Sequence, residues 1–387
     1  MDTAQQIISL VRLGVFGQPL QLELDSEALT RLYPFFSGQD MAHVVGVALE
    51  QQGQYKGSEA AKPYLKAKHA ATFRMVQMEN ALSEIAALFE EAEIPFIPLK
   101  GSVIRYLYPD PVLRTSCDID IYVAPETLEK AVNVLTEQGR YTKEKQSTGH
   151  DISLYSLDHV HIELHFELMD ADKRMGEALK DPFLGAAKKE GKHFWYVQSE
   201  EMLLLYHTVH MAKHFAFGGC GIRPLLDLHI LREKLTFDQN ALDTALEKAG
   251  LLGFYRGAVA LSTAWFGDGA HTKLTKAMEE YIFRGGVFGT VENHAQSSLA
   301  KNGRVGLFLR RLFPRGEYMK KRYPKAQKHP ILLPWFYLWR MLCFLVRADA
   351  KDKVKIHFEV AKAGVTEDTK RSLWMMRELG MDRNELL

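Results

Sequence analysis

The sequence predicts an α+β protein in which a small mixed sheet is flanked by N-terminal helices and by a larger helical C-terminal region. Two observations lead to this fold class. Apolar and polar residues alternate in the segments 118–123, 151–155 and 160–166, which is the period of a strand with one buried face. On both sides of this region the apolar residues recur at three- and four-residue spacing, which is the period of an amphipathic helix.

The chain has 387 residues, enough for two or three domains that each bury a core of their own. The patterns divide it into an N-terminal helical segment, a core that carries the sheet, a helical domain, and a basic and aromatic-rich helical segment at the C-terminus. The predicted boundaries of these four parts are 1–65, 66–170, 171–300 and 301–387.

The N-terminal part reads as helical up to about residue 64. Residues 4–11 and 41–49 carry apolar side chains at helical spacing. A long helix is then predicted from about Lys66 to Ala92. Its inner stripe is formed by Met75, Met78, Leu82, Ile85, Ala86 and Phe89.

The elements of the sheet follow directly after this helix. Residues 94–99 predict a strand, and the two prolines within it favour an edge position because proline donates no ladder hydrogen bond. Residues 118–123 predict a second strand, and 125–139 a helix that ends at glycine. The alternation on both sides of residues 157–159 predicts a hairpin.

The second half of the chain is predicted to be helical. Ser199 is a candidate N-cap, a further helix is predicted over 222–234, and helices continue to about Phe288. Residues 331–346 are apolar apart from Arg340, but the segment is shorter than the ~20 residues of a membrane-spanning helix. It predicts a helix buried in the core or in a subunit contact, with an interfacial membrane helix as the alternative.

Composition and charge restrict the class of protein. Hydrophobic residues make up 47% and charged residues 25%, which is ordinary for a globular protein. The net charge of +1 means that any attraction to nucleic acid has to be local. The three cysteines are too few and too scattered for a disulfide framework or a zinc cluster. Residues 1–6 lack the features of a signal peptide, so we expect a cytoplasmic protein without a transmembrane segment.

Two carboxylates alternate with apolar residues in the strand 118–123. Asp118 and Asp120 lie on the same face of this strand, about 6.6 Å apart, and could bind one or two hard cations through oxygen. The alternative is a pair of aspartates on a solvent-exposed strand face, which the same alternation with Ile119 and Ile121 would produce.

A third carboxylate lies on the second strand of the predicted hairpin. Glu163 shares a strand face with His161 and His165. On a neighbouring strand it could complete a metal site with the two aspartates, or deprotonate an acceptor hydroxyl. The polar outer face of a hairpin is the alternative interpretation of these three residues.

A Gly-Ser turn follows the first predicted strand. In Lys100-Gly101-Ser102 the backbone N–H groups at a strand-to-helix junction can approach an anion. Arg105 and Arg114 lie nearby in the sequence and could neutralise charge on a leaving pyrophosphate. By itself the Gly-Ser pair is also compatible with an ordinary turn.

These features together resemble a known family. Leu-Lys-Gly-Ser at 99–102, an arginine before Asp-Ile-Asp at 118–120, and the later Ile-Glu-Leu-His strand are similar to the nucleotidyltransferase superfamily that includes DNA polymerase beta. More narrowly, they resemble a bacterial branch described as an uncharacterised nucleotidyltransferase family, with the layout LKG…R…DxD. The gap between Ser102 and Asp118 is longer than in the wider superfamily and fits this branch.

The resemblance implies a fold, a reaction and a set of site residues. The core of the chain would be a nucleotidyltransferase core, and the donor would be a nucleoside triphosphate. Asp118, Asp120 and Glu163 would hold Mg²⁺, with Mn²⁺ as the other candidate cofactor. The nucleotide would be bound by Lys100, Gly101, Ser102 and Arg114.

The likeness continues in residues 205–228, which resemble the helical domain of that branch. His207, His210 and His214 share a helix face, and with Arg223 and Asp227 they could line the nucleotide or acceptor cleft, as could His161 and His165 on the strand. Hydrogen bonding of the three histidines between packed helices is the alternative. Zinc binding would need a third ligand at suitable spacing, and the sequence offers none nearby.

A basic segment precedes the apolar helix near the C-terminus. Between 301 and 328 ten basic residues face one acid, Glu317: Lys301, Arg304, Arg310, Arg311, Arg315, Lys320, Lys321, Arg322, Lys325 and Lys328. This segment could contact RNA, an anionic membrane surface or a triphosphate. A solvated face that complements an acidic patch is the alternative, and the apolar residues that interrupt the segment favour an ordered structure.

The sequence as a whole predicts a Mg²⁺-dependent nucleotidyltransferase that moves a nucleoside monophosphate to a hydroxyl acceptor and releases pyrophosphate. The acceptor stays open among a small molecule, a protein and an RNA, because each presents an oxygen nucleophile. The alternative function is that of a non-catalytic member of the fold that binds RNA or protein. All three acids are present, which favours the enzyme.

Overall fold

A computed structural model provides the structure of the chain. It describes residues 3–19, 25–53, 57–138, 141–144, 149–169, 174–216, 219–285, 329–346 and 366–381, with isolated positions between 313 and 326. Most of the basic segment 301–328, and with it the prediction of an RNA or membrane contact there, lies outside these residues. The structure confirms the α+β fold class with a mixed sheet.

Helices and strands alternate in the core of the chain, and the described elements on either side of it are almost entirely helices. The α-helices are α1 (Thr3–Phe16), α2 (Ser26–Gly38), α3 (Ala42–Gln52), α4 (Lys62–Glu91), α5 (Gly101–Ile104), α6 (Leu128–Glu137), α7 (Arg174–Ala178), α8 (Glu200–Ala216), α9 (Arg223–Lys234), α10 (Gln239–Ala249), α11 (Leu252–Phe266), α12 (Lys273–Gly285), α13 (Leu333–Val346) and α14 (Glu367–Glu378). The strands are β1 (Phe96–Pro98), β2 (Asp118–Val123), β3 (Tyr141–Lys143), β4 (Asp151–Ser156), β5 (His161–His165), β6 (Ala187–Lys188) and β7 (Tyr196–Val197).

The main sheet has five strands in the order β1-β2-β5-β4-β3. Only β2 and β5 pair in parallel, and the other neighbours are antiparallel. β1 lies at the edge, as its prolines predict, and β4 and β5 form the predicted hairpin. β3 is not predicted from the sequence, because this strand has three residues and buries only Tyr141.

The register of the sheet gathers its polar side chains on one face. Asp118 lies opposite His161, Asp120 opposite Glu163, and Tyr122 opposite His165. Since side chains alternate between the faces of a strand, these residues share one face of the two central strands. On β4, Asp151 and Ser153 pair with His165 and Glu163 and extend the same face.

The other face of the sheet is apolar and packs against α4 and α6. Ile119, Ile121 and Leu164 point to this side and join a buried cluster with the long helix α4. Met78, Leu82, Ile85, Ala86 and Phe89 of the predicted inner stripe of α4 belong to the same cluster, and Met75 is half-buried. Burying this face fixes the register, because a slip by one residue would exchange the two faces.

A second, larger hydrophobic cluster joins the helices on both sides of the core. It includes residues of α1 to α4 and of α8 to α12, together with Met375 and Leu379 near the C-terminus. α8 begins after Ser199, whose Oγ accepts a hydrogen bond from the Met202 N–H at 3.2 Å, so the predicted N-cap is confirmed. The predicted domain boundaries remain predictions.

The apolar segment near the C-terminus forms α13, with Pro334 in its first turn as expected. Its burial in the core of the chain is not confirmed, because the indoles of Trp335 and Trp339 are 63% and 50% exposed. These side chains are therefore not buried in the core of the chain, and the subunit contact and the interfacial membrane helix stay predictions. Among the described helices, none combines the length and the apolar character needed to cross a membrane.

Candidate functional site

The polar face of the sheet and the helices that cover it enclose two adjoining cavities. The larger has a volume of ≈ 360 Å³ and includes Gly101, Asp118 and Asp120 in its wall. The smaller has a volume of ≈ 190 Å³ and includes Asp151. Side chains that line both cavities, and therefore lie between them, are Lys100, Glu163, Tyr206 and His210.

Asp120 is a buried carboxylate, 2% exposed, so it does not belong to a solvent-exposed strand face. Lys100 Nζ and His165 Nε2 each lie 2.8 Å from its Oδ1 atom, and both donate hydrogen bonds to it. A buried charge is costly unless it is paired and hydrogen-bonded, and here two cationic partners meet that condition. These contacts fix the direction in which the carboxylate points.

The electrostatics of this group follow from burial and pairing. Burial alone would raise the pKa of Asp120, but the adjacent Lys100 and His165 outweigh it and hold this pKa well below its usual value. Burial works against a charged His165, yet its hydrogen bonds to Asp120 and Glu163 raise its pKa to about 9. The pKa of Lys100 is raised, because the nearby anionic groups outweigh its burial.

Asp118 and Glu163 complete the predicted set of carboxylates. Both are half-buried. Burial and then the neighbouring Asp120 raise the pKa of Asp118 to about 6. Three carboxylates this close repel one another, so a cation among them would be stabilised.

The donor atoms form two groupings that fit a metal ion. One consists of Asp118, His161 and Glu163, and the other of Asp120, Glu163 and His165, with the ligand atoms of each grouping within 4.8 Å of one another. His161 Nε2 and His165 Nδ1 are buried and have no hydrogen-bond partner. Buried polar atoms normally have such a partner, so the unpartnered His161 Nε2 beside two carboxylates fits a cation site, whereas a protonated His165 has no lone pair to offer an ion.

The turn after β1 places Lys100 and Gly101 at the wall of the larger cavity. Lys100 has a φ of +46°, a strained conformation for a residue with a side chain, and its ion pair with Asp120 holds it there. A Cβ atom at position 101 would lie 2.9 Å from the Cβ and Oγ atoms of Ser116, so only glycine fits. Ser102 is buried, and its N–H donates to the Leu99 carbonyl at 3.1 Å.

Arg114 and Asp227 form a buried ion pair at the wall of the larger cavity. Arg114 Nε lies 2.8 Å from Asp227 Oδ1, and the Tyr108 hydroxyl donates to the same oxygen at 2.6 Å. Burial disfavours both charges, but the pairing outweighs it, so the pKa of Asp227 is lowered and that of Arg114 is raised. Both residues are candidate site residues in the sequence, but the ion pair between them is not predicted from it.

Arg223 lies at the same wall and joins the N-terminal helices to α9. Its Nη2 atom donates to Asp40 Oδ2 at 2.6 Å and to the Asp40 carbonyl at 2.7 Å. Arg105 instead lies behind the turn, where it donates to the Gly101 carbonyl at 2.8 Å and to Ser116 Oγ at 2.7 Å. Arg105 therefore supports the turn from the protein side.

The three histidines of α8 line the larger cavity; His207 also hydrogen-bonds to α9, whereas His210 and His214 contact each other within α8. His207 Nε2 lies 2.8 Å from the Pro224 carbonyl, and the Nε2 atoms of His210 and His214 lie 3.1 Å apart. Burial lowers the pKa of each of these imidazoles. Within the described part of the chain, the groupings suited to a metal come from the strands and not from these histidines.

Sequence reasoning misses Tyr206, Asp151 and Ser116. Tyr206 lies between the cavities, with Lys100 Nζ 6.0 Å from the centre of its ring. Asp151 is the first residue of β4 and pairs with His165. The alternation of side chains in the predicted hairpin would have placed Asp151 on the same polar face as Glu163. Nothing in the local sequence marks Tyr206 or Ser116, because the contacts that bring them to the site are long-range.

The comparisons with known proteins bear on this site. A family model described as an uncharacterised nucleotidyltransferase matches residues 29–267. This range contains every residue that lines the two cavities. Among curated proteins, no sequence matches the chain.

Proposed function

Because that match spans more than half of its length, the chain belongs to the uncharacterised nucleotidyltransferase family, and we propose that it transfers a nucleoside monophosphate from a nucleoside triphosphate to a hydroxyl acceptor. The single observation that carries this proposal is the register of the sheet. It pairs Asp120 with Glu163 and keeps Asp118 on the same face, so that three carboxylates converge beside a cavity.

The larger cavity is the proposed donor site. Its volume of ≈ 360 Å³ lies within the ~300–1,000 Å³ that is usual for ligand pockets. The backbone of Gly101 forms part of the wall, and Arg114 and Arg223 lie at the same wall, each paired with an aspartate. Ser102 lies just behind Gly101 and contributes by holding the turn.

Asp118, Asp120 and Glu163 are the proposed ligands of a divalent cation, Mg²⁺ or Mn²⁺. Such an ion, when bound, neutralises charge on the triphosphate and polarises the α-phosphate. The residues around it keep the ligands in position: Lys100 and His165 hold Asp120, and the strand pairing holds the other two carboxylates. The unpartnered, buried Nε2 of His161 beside the carboxylates supports a cation at this point.

The smaller cavity is the proposed entrance for the acceptor hydroxyl. Glu163 lies between the two cavities, so as the alternative to completing the metal site its carboxylate can take the hydroxyl proton. The acceptor oxygen then bonds to the α-phosphorus, the bond from this phosphorus to the oxygen bridging to the β-phosphate breaks, and pyrophosphate leaves. A small molecule, a protein side chain and an RNA end all supply such an oxygen.

The alternative function is that of a binding module for RNA or protein. It depends on the basic residues of 301–328, which lie largely outside the described part of the chain. It predicts binding that weakens steeply with salt and does not respond to substitution of the aspartates.

Calorimetric titration tests the proposal. ATP and the other nucleoside triphosphates, each with Mg²⁺ and then with Mn²⁺, are titrated into the wild type and into an Asp118→Ala/Asp120→Ala double variant. Asp158→Ala, in the exposed turn of the hairpin, is the matched control. We expect binding by the wild type and the control, and an affinity at least about tenfold lower in the double variant.

Two results would overturn the proposal. If the wild type binds no nucleotide with either ion, the larger cavity is not a donor site. If the double variant binds nucleotide as tightly as the wild type, the two aspartates take no part in binding it.

A further inference from the structure

We propose that His161 is a direct metal ligand of this site, and that its nitrogen makes the site prefer Mn²⁺ to Mg²⁺. The inference rests on the proposed function and deepens it, because it names the ion and adds a nitrogen ligand to Asp118 and Glu163. The juxtaposition that carries it is the imidazole of His161 beside Asp118 and Glu163.

The strand pairing brings the three ligands together. His161 lies directly opposite Asp118 on the parallel neighbour, and Glu163 follows two residues later on the same face. Their ligand atoms lie within 4.8 Å of one another. His161 Nε2 nevertheless has no hydrogen-bond partner, although it is enclosed by protein. A shared cation would satisfy this nitrogen and the carboxylates at the same time.

The ring of His161 is held in place by an aromatic ring on the neighbouring strand. Tyr155 lies directly opposite it on β4, and the two rings stack with their centres 4.8 Å apart and their planes at 16°. This stack covers one side of the imidazole and limits the rotation of its ring. A ligand whose ring is fixed before the ion arrives loses little side-chain entropy on binding.

The second grouping of donor atoms is a poorer site for the ion. Its Asp120 already has two cationic partners, Lys100 and His165, at 2.8 Å. In contrast, no ion pair involving Asp118 is found among the residues that the structure describes. A cation gains most where the negative charge is not yet balanced, so it is expected between Asp118, Glu163 and His161.

The donor set determines which ion is preferred. Mg²⁺ takes oxygen ligands and loses its water shell reluctantly. Nitrogen ligands are accepted by first-row transition ions, and among these Mn²⁺ is also suited to carboxylate oxygens. One imidazole with two carboxylates therefore favours Mn²⁺, which tolerates both types of donor.

The test measures the ion directly. Mn²⁺ and Mg²⁺ are titrated calorimetrically into the wild type, His161→Asn and His161→Gln, each with a non-hydrolysable ATP analogue. Pulsed electron paramagnetic resonance of the bound Mn²⁺ detects the nitrogen of a coordinated imidazole. His159→Asn is the matched control: the residue is exposed in the same hairpin, and its φ of +60° suits asparagine.

We expect a nitrogen coupling in the wild type and in His159→Asn, and none in either His161 variant. The preference for Mn²⁺ over Mg²⁺ should fall by at least about tenfold in the His161 variants. Nucleotide-dependent Mn²⁺ binding without a nitrogen coupling in the wild type would overturn this inference and leave the proposed function intact. A nitrogen coupling that persists in the His161 variants would also overturn this inference and leave the proposed function intact. If neither ion binds with the nucleotide, the proposed function fails as well.

Discussion

At the scale of single residues, the site is organised by Asp120. This carboxylate is almost fully buried, and the two cations that contact it, Lys100 and His165, come from different segments of the chain. Each partner is constrained in turn, since Lys100 has a positive φ and His165 also lies 3.4 Å from Glu163. Such a network holds its members in one arrangement before any ligand arrives.

Gly101→Ala tests how tightly the turn beside Asp120 is packed. The added methyl group would lie 2.9 Å from Ser116 and 3.3 Å from Arg114 Nη1. We expect the free energy of unfolding to fall by ~1–3 kcal/mol, measured by urea denaturation. The control is Gly38→Ala, where no atom lies within 4 Å of the new Cβ. Equal stability of the two variants would contradict this packing.

His43 predicts a pH dependence of stability. It is buried, 3% exposed, and its Nε2 lies 3.1 Å from the Leu113 carbonyl. Burial lowers its pKa to about 4 from the usual 6.5. Between these values the unfolded chain binds a proton that the folded chain excludes, so stability falls as the pH drops from 6.5 towards 4.

The expected loss from His43 alone is about 3 kcal/mol at pH 4, from the size of the pKa shift. His43→Gln keeps a donor for the Leu113 carbonyl but carries no titrating group. Urea denaturation between pH 7 and pH 4 should therefore give a flatter profile for this variant. Parallel profiles of the variant and the wild type would show that His43 titrates normally in the fold.

The residue scale also shows how much of the site the sequence can predict. Strand alternation is local information, and it is enough to identify Asp118, Asp120 and Glu163 as a set that shares a face. Which cation contacts Asp120 depends on strand order and on a backbone conformation with positive φ, and neither is encoded locally. Tyr206 enters the site only because α8 packs over the polar face.

At the scale of elements, the buried pair between Arg114 and Asp227 joins the segment before β2 to α9. The side chains of the pair are 10% and 2% exposed, so loss of one partner leaves an unbalanced charge in the interior. The ion pair thereby fixes α9 against the segment before β2 at the wall of the larger cavity.

Asp227→Asn is predicted to lower the free energy of unfolding by ~3–5 kcal/mol. The matched control is Asp243→Asn, which breaks the pair with Arg256, whose side chain is 66% exposed. Exposed pairs contribute only ~0–1 kcal/mol, so the control should be nearly as stable as the wild type. Chemical denaturation of both variants measures the difference, and similar losses would contradict the structural role of the buried pair.

The elements differ in how well the sequence predicts them. Long periodic segments such as α4 are predicted well, because many residues repeat the same pattern. β3 has too few residues to show a period, and its place at the sheet edge depends on pairing with β4. α13 is predicted as a helix, but the sequence leaves open whether the core, a second subunit or a membrane surface covers it, because apolar composition does not specify the covering surface.

At the scale of the whole molecule, three parts of the chain meet at the larger cavity. The sheet supplies the carboxylates, α8 and α9 supply the opposite wall, and Gln39 comes from the end of α2. Arg223 binds Asp40 and so ties the N-terminal helices to α9. The helices of 1–65 and 171–300 also share one hydrophobic cluster, which sequence periodicity cannot reveal because it carries no information on distant contacts.

A crystal structure with Mn²⁺ and a non-hydrolysable nucleoside triphosphate tests the central claim most directly, because anomalous scattering locates the ion. We expect the triphosphate in the larger cavity beside Gly101, with the ion in contact with Asp118 and Glu163. A nucleotide bound away from the polar face of the sheet, or an ion that contacts none of the three carboxylates, would contradict it.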